Sequence, residues 1–190
     1  MVDKVVLKEL VEVLNREHIT WGIGGSYLLK IHDLIDNPND LDLWVSQDDM
    51  IQLRNRFKNY PELKTNIPLP PELHYKILYN SIEVDFVACF KIRPNQYSFE
   101  YNISPNNIKM IKLPDGIEVP CTYLEDWYIV YKLLKRNEKA RIIENFFMKN
   151  KLTLSNGVIN ASMDLSVLPK YIKREVNEFV NNVLQLSFFD

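Results

Sequence analysis

Three aspartates carry the chemistry most readily read from this chain: Asp40 and Asp42 in Asp40-Leu41-Asp42-Leu43, and Asp85 further on. On a β-strand, residues two apart project to one face, so Asp40 and Asp42 point together while Leu41, Leu43 and Val45 point the other way. Neighbouring carboxylates repel each other, and keeping both ionised favours a cation between them. Hard oxygen ligands of this kind suit Mg²⁺ or Mn²⁺, with waters or phosphate oxygens completing the shell. Taken alone, the pair reads better as two strand-end acids in water. Asp85 strengthens the case, because Ile82, Val84 and Phe86 alternate with Glu83 and Asp85. Two acids then share one face of a strand whose other face is apolar: either that face is open to water and both are solvated, or it is buried and an ionised group there needs a partner.

Gly24-Gly25-Ser26 lies just upstream, after the apolar run Ile19–Ile23 and before a helical stretch from Tyr27 to about Leu34. Glycines at a strand-to-helix junction let backbone N–H groups approach an anion, and the Ser26 hydroxyl can add a donor. Ser26 equally suits a plain helix cap. Other phosphate and metal motifs fail. The dinucleotide fingerprint would need a third glycine where Tyr27 stands, no Gly-Lys-Ser/Thr loop occurs, and an EF-hand from Asp36 would place Pro38 and Leu41 at forbidden positions.

The elements that must hold these residues follow from periodicity. A helix is expected over residues 3–17, strands over 19–23 and 41–45, and a helix from Asp48-Asp49 to about Phe57. Residues 60–71, rich in proline, read as a loop, as does Asn37-Pro38-Asn39. Strands over 74–79 and 82–90 are joined by a tight turn at Asn80-Ser81, and a second hairpin, 108–113 with 117–119, brackets Pro114-Asp115-Gly116. The rest is helical: from Thr122, expected to cap a helix through a Thr122–Glu125 capping box, to about Arg136; from Lys139 to Asn150; and a last helix opened by Pro169. Residues 151–165 are polar and loop-like. The last helix carries the apolar stripe Ile172, Val176, Phe179, Val180, Val183 and Leu184. The expected fold is α/β (α+β), a mixed sheet flanked by helices with a C-terminal helical part, divided as residues 1–120 and 121–190.

Composition sets the class. At 46% hydrophobic and 25% charged residues, the chain is of ordinary globular type. Two cysteines, Cys89 and Cys121, are too few for a disulfide framework and lack zinc-ligand spacing, which points to a reducing, cytoplasmic setting. No apolar run approaches a membrane span, and the N-terminus has no secretory pattern. A net charge of −2 argues against a domain held on long nucleic acid by charge alone. The basic run Lys132, Lys135, Arg136, Lys139 and Arg141 reads mostly as the solvated face of two helices, and His18, His32 and His74 have no ligand spacing. His74 alone lies close in sequence to the acid-bearing strand.

Taken together, Ile23-Gly24-Gly25-Ser26, a short helix, Asp40-Leu41-Asp42-Leu43 and Asp85 in a later strand resemble the signature of the DNA polymerase beta-like nucleotidyltransferase superfamily, in the style of its small bacterial antibiotic and toxin–antitoxin members. The likeness spans roughly residues 5–147. It extends to Leu124-Glu125-Asp126 and Lys132, which match a family helix whose lysine lies near the nucleotide; a family Arg-x-Lys-Asp element is broken here, where Ala140 follows Lys139. The resemblance implies an enzyme that moves a nucleoside monophosphate from a nucleoside triphosphate, with ATP the expected one, to an acceptor hydroxyl and releases pyrophosphate. It assigns Asp40, Asp42 and Asp85 to two Mg²⁺ (or Mn²⁺) ions and to catalysis, and Gly24, Gly25, Ser26 and Lys132 to the nucleotide. The expected acceptor is a small molecule or a protein side chain, with RNA as a further option, and a homodimer or a toxin–antitoxin partner is compatible with it. The alternative is a catalytically silent nucleotide-binding or toxin–antitoxin partner protein of the same fold.

Overall fold

The computed structural model describes residues 4–38, 40–64, 73–92, 99–155 and 168–187; Asn39, most of the expected proline-rich loop and most of the expected 151–165 loop lie outside them. In chain order the elements are α1 (Lys4–Arg16), β1 (Trp21–Ile23), α2 (Gly25–Ile31), β2 (Leu41–Val45), α3 (Met50–Phe57), β3 (His74–Tyr79), β4 (Ile82–Val87), β5 (Phe90–Ile92), β6 (Phe99–Tyr101), a 3₁₀ turn (Pro105–Asn107), β7 (Lys109–Lys112), β8 (Glu118–Cys121), α4 (Leu124–Leu133), α5 (Asn137–Asn150) and α6 (Lys170–Ser187). They form two compact units, residues 1–90 with 102–122, and residues 91–101 with 123–190.

The first unit is built on a six-stranded mixed sheet ordered β3-β4-β2-β1-β8-β7. β2 runs parallel to β4 and β1 parallel to β8; the other neighbours are antiparallel. One face is apolar: Ile23, Leu41, Leu43, Val45, Ile77, Val84 and Phe86 are all buried. α3 covers part of it through Phe57, whose ring lies 5.4 Å from that of Phe86 and 5.8 Å from that of Tyr79. The Tyr75 hydroxyl donates to the Phe57 carbonyl at 3.2 Å, so the phenol enters the core with its polar end satisfied. Leu7, Leu10 and Leu14 bury the apolar stripe of α1, and each such side chain stabilises the fold by about 1.5–3 kcal/mol.

The turn between β3 and β4 sets the register on which the site depends. Asn80 and Ser81 both have positive φ, +45° and +68°, the conformation of a two-residue hairpin turn whose twist matches the flanking strands. Tyr79 therefore faces Ile82, and counting back places Lys76 opposite Asp85 and His74 opposite Val87.

Among its described residues the second unit is mostly helical, with β6 and the end of β5 as its strands. Tyr128 of α4 stacks on Phe179 of α6 at 4.3 Å, and Phe147 of α5 meets Phe179 edge-on at 5.6 Å. Ile172, Val176, Phe179 and Val183 form the buried stripe of α6. Leu184, expected in that stripe, is exposed, because one step of about 100° along a helix carries it off the seam that Val183 occupies.

Several expected boundaries move. β1 begins at Trp21, not Ile19, since Ile19 still donates its N–H to the Leu14 carbonyl. The strand expected to reach residue 90 ends at Val87, and Cys89, at φ +45°, breaks it before β5. The Thr122–Glu125 capping box is absent. Thr122 donates its hydroxyl to the Ile23 carbonyl at 2.9 Å, Glu125 accepts from the Ser155 N–H at 2.9 Å, and Tyr123 stands at the cap of α4 without a side-chain bond. Partners distant in sequence win both groups. α4 ends at Leu133 rather than Arg136: Lys135 turns left-handed at φ +58° and the Arg136 N–H closes onto the Tyr131 carbonyl.

Candidate functional site

The acid-bearing face of the sheet is assembled by strand register. Asp42 of β2 and Asp85 of β4 are direct partners across the parallel pair. Adjacent strands lie about 4.8 Å apart and paired residues share a face, so the two carboxylates are neighbours. Lys76 of β3 continues the row on one side, and the Gly24 N–H, bonded to the Asp42 carbonyl at 2.9 Å, continues it on the other. Asp42 is half-buried and Asp85 is only 4% exposed. Asp40 stands just before β2, half-buried.

The glycine turn is fitted to Asp42. Gly25 has φ +58°, and a β-carbon built on it would lie 2.6 Å from Asp42 Cγ and 2.8 Å from Asp42 Cβ. Glycine is thus required at position 25 for its backbone conformation and again for the carboxylate packed against it. Gly24, by contrast, is extended at φ −131°. Its N–H is already held by β2, so an anion at this turn would meet the N–H groups that follow Gly24. Ser26 lies in the first turn of α2.

Two residues that sequence reasoning left outside the site join it. Lys76 Nζ pairs with Glu83 Oε2 at 2.7 Å. Burial alone would lower its pKa, but the bond and charge of Glu83, with the charges of Asp85 and Asp40, outweigh it and hold the ammonium above its ordinary value. Lys76 thus sits in the field of two of the three aspartates. His74, 3% exposed, places Nε2 in hydrogen-bonding contact with Asp85 Oδ1. The Asn80-Ser81 turn would have revealed both, because a two-residue hairpin fixes which residues of β3 lie beside Asp85.

No group of three or more His, Cys, Asp or Glu side chains among the described residues could hold a metal ion as it stands. Mg²⁺ asks for less than a protein cage: it keeps several waters and takes one or two carboxylates with substrate phosphates. The hard-oxygen pair Asp42 and Asp85 fits that demand. Lys132, which the resemblance assigned to the nucleotide, belongs to the second unit. There its Nζ pairs with Glu175 Oε2 at 3.1 Å and lies 5.6 Å from the Tyr128 ring centroid.

The second unit also buries two acids. Asp126 is fully buried and accepts from the Tyr101 hydroxyl at 2.5 Å, while its Oδ1 has no partner among the described residues. Burial raises its pKa well above the ordinary carboxyl value; the Tyr101 bond opposes the shift and Glu125 adds to it. Burial likewise pushes the Cys121 thiol of the first unit up to about 12, which makes it inert as a thiolate.

No protein-family model matches the chain and no curated protein matches its sequence. Solved structures match its fold. TM1012 from Thermotoga maritima, provisionally assigned as a nucleotidyltransferase, aligns with a TM-score of 0.56 at 16% identity over 76% of this chain and 92% of its own. The lincosamide antibiotic adenylyltransferase LnuA, solved with lincomycin, aligns at 0.54 and 8% identity over 75% of this chain and 97% of its own. ANT(2")-Ia, solved with adenylyl-2"-tobramycin, aligns at 0.54 and 9% identity over 92% of this chain and 96% of its own. Among the described residues no helix is long and apolar enough to cross a membrane.

Proposed function

We propose, for a chain that has the nucleotidyltransferase-superfamily fold, that it transfers a nucleoside monophosphate from a nucleoside triphosphate, ATP first among the candidates, to an acceptor hydroxyl. The observation that carries this reading is the facing of Asp42 and Asp85 across β2 and β4, with Gly25 packed under Asp42. Asp85 takes the proton of the acceptor hydroxyl, directly or through water. The acceptor oxygen then bonds to the α-phosphorus, the bond from that phosphorus to the bridging oxygen breaks, and pyrophosphate leaves. Asp42 and Asp85 would hold Mg²⁺ or Mn²⁺, with Asp40, just before β2, added on the family resemblance alone; when bound, the cation supplies charge neutralisation at the phosphates. The turn from Gly24 through Ser26 would hold the triphosphate, and Lys132 enters as a nucleotide cation on the family resemblance alone.

The crystallised neighbours LnuA and ANT(2")-Ia carry an antibiotic or its adenylylated product, which supports a small hydroxylated acceptor here as well. The test is label transfer from each α-labelled nucleoside triphosphate into cell extract, with wild type and Asp42→Asn in parallel. Transfer by the wild type, lost in the variant, supports the proposal. Metal-dependent nucleotide binding with neither transfer nor pyrophosphate release favours the silent nucleotide-binding alternative.

A further inference from the structure

We infer that His74 is a positioning residue for Asp85, fixing which carboxylate oxygen faces the reaction. The inference rests on the nucleotidyl-transfer reading and deepens it. Asp85 has two oxygens to aim. Oδ1 is taken by His74 Nε2, and among the described residues no hydrogen bond reaches Oδ2. The backbone that carries the imidazole is itself held in place. His74 is buried at the start of β3, diagonal to Asp85 because it faces Val87, and its own carbonyl accepts from Arg54 Nη2 at 2.6 Å. That guanidinium lies 4.4 Å from the Tyr75 ring centroid, which ties the end of β3 to α3.

His74 Nδ1 is buried and has no partner among the described residues. The ring therefore makes one polar contact, and that contact is to Asp85. Leaving a buried ring nitrogen unpaired is costly, but an apolar side chain here would strip buried Asp85 Oδ1 of its partner, which costs more. The imidazole satisfies that oxygen and, by the same contact, orients the carboxylate. A carboxylate fastened at Oδ1 cannot rotate freely, so Oδ2 remains for a cation or for the acceptor proton.

The test compares His74→Gln, whose amide nitrogen reaches about as far as imidazole Nε2, with His74→Asn, whose amide is one carbon short. Mn²⁺ binding is followed by electron paramagnetic resonance, thermal unfolding by circular dichroism, and transfer by the rate of label incorporation. The expected result is that Mn²⁺ affinity and the rate of label transfer from α-labelled ATP into cell extract fall roughly 10–100-fold in His74→Asn, the range for outer-shell partners of a metal site, with His74→Gln near wild type. A folded His74→Asn with wild-type Mn²⁺ affinity overturns the inference, as does equal loss in both variants. Should neither variant fold, ¹⁵N-labelled imidazole in the wild type decides: the Nε2 resonance of His74 is expected to move on addition of Mg²⁺, and a stationary resonance overturns the role. Wild type that neither binds Mn²⁺ nor transfers nucleotide sinks the functional reading and this role together. Wild type that does both, with two unaffected variants, sinks this role alone.

Discussion

Gly25 and Asp42 occupy adjoining space: the α-carbon of the glycine lies where its side chain, if it had one, would run into the aspartate. The contact couples the turn before α2 to the acid strand β2. Gly25→Ala is expected to destabilise the protein by about 1–3 kcal/mol, combining the cost of a left-handed alanine with displacement of the carboxylate. Urea unfolding measures it. In the double variant Gly25→Ala/Asp42→Gly the steric part should vanish while the backbone part stays, and strict additivity of the two single changes would show that the residues do not collide.

Asp42→Asn keeps the size of the side chain and removes its charge. Transfer is expected to fall roughly 10²–10³-fold, as when one preorganised electrostatic group is lost from a reacting centre. The far-ultraviolet circular dichroism spectrum should stay that of the wild type. Undiminished transfer would remove Asp42 from the site.

Lys76 already shares the field of Asp85 and Asp40, so it competes with an added cation. Lys76→Met is expected to tighten Mn²⁺ binding, about 3–10-fold at low ionic strength and less as salt screens the charges. Calorimetric titration at two salt concentrations checks this. Equal affinity in variant and wild type would place the ammonium too far from the cation to matter.

Asp126 makes stability depend on pH with a definite sign. Its carboxyl is raised in the folded state by burial above all, so in the range above the ordinary carboxyl pKa the native protein holds a proton that the unfolded chain has released. Stability is then fully present below about pH 4 and declines as pH rises toward the folded-state value. Asp126→Asn, which does not ionise, lacks that decline. The variant should gain on the wild type between pH 4 and 7 in urea unfolding. A constant difference across that range would mean that Asp126 titrates alike in both states.

How much of this was legible beforehand depended on how local each cause was. The acid faces of β2 and β4 followed from alternation, since Leu41, Leu43, Val84 and Phe86 mark the apolar side whatever the rest of the chain does. The Asn80-Ser81 turn was legible for the same reason. β5 and β6 were not, because three-residue strands are too short to show a period. Thr122 and Glu125 misled because their spacing suited a capping box while Ile23 and Ser155, distant in sequence, took both side chains. The contact of His74 with Asp85 could be derived only after the hairpin register was laid out. Lys132 matched a family position, yet its pairing with Glu175 depends on how α6 docks against α4, which no window around Lys132 displays.

The parallel pairing of β2 with β4 also has a consequence for how the protein comes into being. Parallel neighbours cannot be joined by a tight turn, and here α3, the following segment and all of β3 intervene between Asp42 and Asp85. Contacts that close so long a stretch are slow to form. A growing chain that has emitted only β1, α2 and β2 already displays the glycine turn and both early aspartates but has no Asp85. Affinity for a divalent ion is thus expected only after β4 has slotted beside β2, which would make cation binding a reporter of that pairing and leave chains that stop short of β4 without the chemistry.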